Sequence, residues 1–161
     1  MKVMILLLLA LLATSTLARA EDAAALISQY RRTHGLPAVK TDPQLTAVAE
    51  RQARAMAKSG VMDHNVAGAF ATRVAAVPVG VAGENLAEGT KTWAETIQRW
   101  ETSPGHNGNL LLPDATHVGV AVAYNEQTHE AFRALVIGRM VQLRKFQPTP
   151  FNPEPGVEMW W

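Results

Sequence analysis

The 161-residue chain contains no cysteine, and that absence removes several options at once. No disulfide can staple the fold, and no thiolate can serve as nucleophile or metal ligand. No lipid can be attached to a cysteine behind a leader. Basic clusters are equally scarce: nothing longer than Arg31-Arg32 or Arg144-Lys145 occurs, so electrostatics support neither nucleic acid nor an anionic membrane as partner. There is no internal repeat and no sign of a second domain. Compact metal signatures such as H-E-x-x-H are missing too.

What is present begins with MKVMILLLLALLATSTLARA, where Lys2 precedes an apolar stretch from Val3 to Ala13 and Ala18-Arg19-Ala20 offers a small-x-small cleavage site. This is the layout of a secretory signal peptide over residues 1–20, cut after Ala20. The apolar stretch is too short for a membrane span, which needs about 20 residues. The expected location is therefore outside the cell or in a periplasm, with no membrane anchor after cleavage. Losing Lys2 and Arg19 turns 15 basic residues into 13 against 14 acidic ones, a nearly neutral mature chain. Its length is that of one ordinary domain, able to bury a core without staples.

Local patterns then divide the chain. Leu26, Ile27 and Tyr30 predict a helix from Ala23 to His34, stopped at Gly35. Asp42-Pro43 is a strong helix start, and Leu45, Val48, Ala49, Ala53 and Met56 form one stripe that runs to Ser59 before Gly60. A short helix around Phe70 and Val74 is expected within residues 67–75. The Pro- and Gly-rich stretch Val77 to Gly83 reads as a strand-like or looping approach to Glu84. Thr92 and Glu95 form a capping box, and Trp93, Ile97 and Trp100 make an anchoring stripe that ends at Pro104. Alternation from Val118 to Tyr124, a polar turn at residues 125–128 and a β-prone return from His129 to Met140 predict a hairpin covered on both faces. The segment 143–161 has four prolines between Gln147 and Pro155 and ends in Trp160-Trp161, an extended tail. Helices flanking a late hairpin imply an α+β fold.

Five short motifs occur in order: HN at His64-Asn65, GENLA at Gly83 to Ala87, W-x-x-S-P-G-H at Trp100 to His106, N-L-L at Asn109 to Leu111, and HVGVAVA at His117 to Ala123. Together they resemble the CAP superfamily, which includes cysteine-rich secretory proteins, plant pathogenesis-related proteins and bacterial SCP-like domains. The cysteine-free bacterial branch is the nearer likeness. The resemblance spans Ala24 to Met140 and places the domain at residues 21–142.

The resemblance implies a three-layer α-β-α sandwich with a central antiparallel sheet and a cleft. It further implies that His64, His106 and Glu84 line that cleft as members of a His/acid tetrad, and that His64 and His106 can hold a divalent metal. The fourth acid of the family pattern falls on Ser103 here. Glu101, one residue after Trp100 and on another helical face, is a weak substitute.

Two imidazoles and a carboxylate allow either general acid–base chemistry, with an ordinary histidine pKa of about 6.5, or ligation of Zn²⁺ or another divalent cation. Glu84 has a plainer reading as the carboxylate of a Gly-Glu-Asn turn. His34, His117 and His129 are expected to be structural, and a Ser103–His106 nucleophile pair finds no oxyanion hole. The leading expectation is a secreted protein whose cleft binds an extracellular ligand, lipid-like or from the cell envelope, without turnover. The rival is a metal-dependent hydrolase of peptide or ester bonds using His64, Glu84 and His106. A third is an interaction module that uses the proline-rich tail.

Overall fold

The computed structural model describes residues 22–141. The expected leader, with its expected cleavage site, and the proline-rich tail lie outside the described residues. Helix α1 covers residues 22–33, and Gly35 follows with φ +72, a left-handed conformation that glycine adopts without strain. The two-residue strand β1 (Lys40–Thr41) then leads into α2 (Pro43–Ser59). The Asp42 side chain accepts from the backbone of Gln44 and Leu45 at 2.8 and 2.9 Å, and Gly60 closes the helix at φ +69.

The expected short helix is α3 (Phe70–Val74). Beyond it, Val79–Glu88 is a ten-residue strand, β2, so Gly83-Glu84-Asn85 lies in a sheet and not in a turn. The glycines that obscure this strand have local causes. The register shifts between Val79 and Val81 beside Gly80, and a Cβ on Gly83 would lie 2.4 Å from Asn109 Oδ1.

Helix α4 (Trp93–Glu101) starts as a capping box with one change: Thr92 Oγ1 accepts from Glu95 N, while Glu95 Oε2 reaches back to Lys91 N at 2.7 Å. Pro104 ends one helix and also begins the next. Thr102 and Ser103 form the break, and α5 (Pro104–Leu110) has the proline in its first turn, where a missing N–H costs nothing. His106 therefore lies inside a helix, not in an exit loop. The hairpin is β3 (His117–Tyr124) and β4 (Ala131–Met140), joined by a tight turn in which His129 N donates to Asn125 O.

The sheet order is β1-β3-β4-β2. The three long strands are antiparallel, as expected, and β1 adds a short parallel pairing to β3, which makes the sheet mixed. Period-2 alternation sorts β4 into two cores. Leu135 and Ile137 face a cluster with Ile27, Ile97, Trp100 and Leu110 from α1, α4 and α5. Ala134 and Val136 face Leu45, Val48, Ala53 and Met56 of α2. Gly119 lets α2 approach closely, since a Cβ there would lie 2.1 Å from the Leu45 backbone. The molecule is an α-β-α sandwich with helices on both faces of the sheet.

Candidate functional site

Three elements converge on β2. The first is the irregular segment after α2, fixed by Gln52, which is buried in the helix and donates through Nε2 to Asp63 O at 2.7 Å. The next residue is His64. Its Nδ1 lies 2.7 Å from Glu84 Oε1, while 53% of its side chain remains exposed.

The second element is α3, which supplies a residue absent from the predicted set. Arg73 donates through Nη1 to Glu84 Oε2 at 2.7 Å and through Nη2 to Glu84 Oε1 at 2.9 Å. Nη2 also reaches His64 O at 3.0 Å, and Nε reaches Gly68 O at 2.9 Å. Both side chains of this ion pair are only 2% exposed. Burial on this scale demands pairing, because an isolated ion in a low-dielectric interior is unstable. The fork of the guanidinium matches the carboxylate and holds it rigidly.

The third element is α5. Asn109 Nδ2 donates to Glu84 O at 3.0 Å and to Asn85 Oδ1 at 2.8 Å, and Asn85 Nδ2 donates to His106 O at 3.0 Å. These bonds lash the helix carrying His106 to the strand carrying Glu84. The His106 ring sits 6.3 Å from the Trp100 ring, whose indole N–H donates to Leu86 O. Burial lowers the His106 pKa below its ordinary value, and the nearby His64 lowers it further. At neutral pH His106 is a neutral imidazole with one donor and one acceptor nitrogen.

The structure thus joins His64 to Glu84 directly and sets His106 near enough to His64 to feel its charge. It sends Glu101 elsewhere. That carboxylate neighbours Tyr30 of α1, whose phenol pKa is raised by burial first and by Glu101 second. Glu101 makes no hydrogen bond or ion pair with His64, Glu84 or His106. His34 and His117 make only local contacts, to Tyr30 O and Thr116 Oγ1. His129 occupies the hairpin turn at φ +58.

A divalent ion fits this arrangement poorly. Both oxygens of Glu84 are already engaged, and His64 Nδ1 points at the same carboxylate. Among the described residues no three His, Cys, Asp or Glu side chains gather into a metal-holding group. Two imidazoles beside a guanidinium fall short of the three protein ligands that an open zinc site uses.

An α-β-α sandwich whose edge strand β2 carries the buried Glu84, paired with His64 and Arg73, defines the class of protein. The chain belongs to the CAP family, the cysteine-rich secretory protein family, whose model matches residues 24–137. The chain is 31% identical over 99 residues to the uncharacterised protein YkwD of Bacillus subtilis, a match covering 59% of this chain and 38% of YkwD. An extracellular SCP-domain protein of Bacillus anthracis superposes with a TM-score of 0.68 at 26% identity, over 77% of this chain and 41% of that one. An outer surface protein of Borrelia burgdorferi shares the fold with a TM-score of 0.68 at 18% identity, over 75% of this chain and 92% of its own. The two Bacillus relatives are thus much longer than the matched region. No helix among the described residues is long and apolar enough to cross a membrane.

Proposed function

We propose that this is a secreted CAP-domain protein whose cleft, lined by His64, Glu84 and His106, binds an extracellular ligand of lipid-like or cell-envelope character and catalyses no reaction. Secretion is supported by the leader pattern of residues 1–20 and by the extracellular description of the Bacillus anthracis relative. The observation that carries the binding reading is the engagement of Glu84. A carboxylate that acts as general base or metal ligand needs a free oxygen facing the substrate. Glu84 instead has both oxygens bonded to Arg73, one of them also to His64, and is 2% exposed. The groups left to meet a ligand are the imidazoles, which suit hydroxyls, carbonyls and headgroup oxygens. With Glu84 engaged, hydrolysis through the same residues would fall to the imidazoles alone, with no carboxylate free to act as base.

The test is a screen of the mature protein against phospholipid vesicles, sterols and envelope glycans, with His64→Ala and His106→Ala alongside. Wild type should retain one of these classes, and each variant should bind it about tenfold more weakly, the loss of roughly 1.4 kcal/mol. An empty screen contradicts the proposal. So does cleavage of ester or peptide substrates by wild type that both variants lose.

A further inference from the structure

The pairing of Arg73 with Glu84 has a consequence for what the cleft accepts. The carboxylate is buried and needs a positive partner. Three donors surround its two oxygens: Nη1 and Nη2 of Arg73 at 2.7 and 2.9 Å, and His64 Nδ1 at 2.7 Å. The guanidinium is in turn held by Gly68 O and His64 O and lies 5.4 Å from the centre of the Phe70 ring. It is a built part of the interior, not a rim charge swinging in solvent. The guanidinium also neutralises Glu84, so the pair offers a divalent cation no net negative charge.

We propose that Arg73 is the resident cation of the cleft: its guanidinium fills the face of Glu84 that a divalent ion would require, and it makes the site metal-independent. This deepens the ligand-binding reading and rests on it for the cleft's role. Arg73 acts through Glu84 and His64 as a positioning residue. It fixes the carboxylate, the carboxylate fixes the Nδ1 side of His64, and the other face of that ring is presented to the ligand. Taking the guanidinium away should leave the buried Glu84 carboxylate open beside His64, one oxygen and one nitrogen ligand that a divalent ion can bind with water filling its other positions.

Zinc itself is the probe, titrated by calorimetry and equilibrium dialysis into the mature wild type, Arg73→Met, Arg73→Met/Glu84→Gln and Arg73→Met/His64→Ala. Arg73→Met should take up one equivalent at least tenfold more tightly than wild type. Both double variants should lose that gain. Wild type binding one equivalent as tightly as Arg73→Met overturns the proposal, as does a folded Arg73→Met with no gain. If Arg73→Met is unfolded without metal, zinc should restore its cooperative thermal transition, and failure to do so also overturns it. No envelope ligand enters this titration, so a result against Arg73 leaves the binding screen standing, and an empty screen leaves the zinc result intact.

Discussion

Two buried arginines, one at each end of the described chain's helical layers, make an instructive contrast. At the junction of α1 with α5, Arg31 is fully buried and donates only to backbone carbonyls, those of Pro37, Leu110, Leu112 and Ala115. Burial lowers its pKa from the ordinary value, and no carboxylate offsets that. At the junction of α3 with β2, Arg73 is just as enclosed but grips the carboxylate of Glu84 beside an exposed histidine. The first arrangement stitches loops together and ends there. The second leads outward, through Glu84, to the exposed side of His64. Which partner a buried guanidinium has, and not its burial, separates a tie within the fold from one that reaches a solvent-facing histidine.

The largest expected effect breaks the structural half of this contrast. Arg31→Ala strands the buried carbonyls of Leu110 and Ala115 and should cost about 3–5 kcal/mol in urea denaturation. The fraction that still folds should bind ligand like wild type. A loss of binding in folded Arg31→Ala would erase the distinction.

Next comes the seam that carries His106. In Gly83→Ala the new methyl meets Asn109, whose bonds to Glu84 O and Asn85 Oδ1 join α5 to β2. A cost of about 1–3 kcal/mol is expected, with weaker ligand binding. Unchanged binding would show that α5 is positioned by something other than this seam.

The smallest effect is a pH dependence. His106 binds a proton less readily in the fold than in the unfolded chain. Between the lowered folded value and the ordinary one near ~6.5, the unfolded state holds more protons, so this contribution to stability is complete above that window and falls on acidification through it. Urea midpoints taken between about pH 7 and pH 5 should decline more steeply for wild type than for His106→Gln. Parallel declines would contradict a depressed His106.

Much of this was legible in the sequence. The stripe of α2 and its caps, the Trp93-Ile97-Trp100 anchor, and the hairpin all follow from period and capping chemistry, and the motif order pointed to the CAP fold; it also singled out His64 and Glu84, which lie 2.7 Å apart. The misses share physical causes. Strand β2 was masked by Gly80 and Gly83, present for a register shift and a close approach, not for a turn. Helix α5 was hidden because Pro104 halts one helix and suits the first turn of another. Arg73 was overlooked because a lone charged residue in a short helix reads as solvated surface. A signal was there: in Phe70–Val74 it sits three residues after Phe70 and beside Val74, on the apolar face of its own helix. Arg31, four residues after Ile27, carries the same mark.

The most direct test is a double-mutant cycle on urea stability with Arg73→Met, Glu84→Gln and both together. If the guanidinium and the carboxylate complete one another inside the protein, each single change should be costly and the double should recover part of the loss, a coupling of about 2 kcal/mol or more. A coupling below about 0.5 kcal/mol, the value of a solvent-exposed pair, would contradict the account.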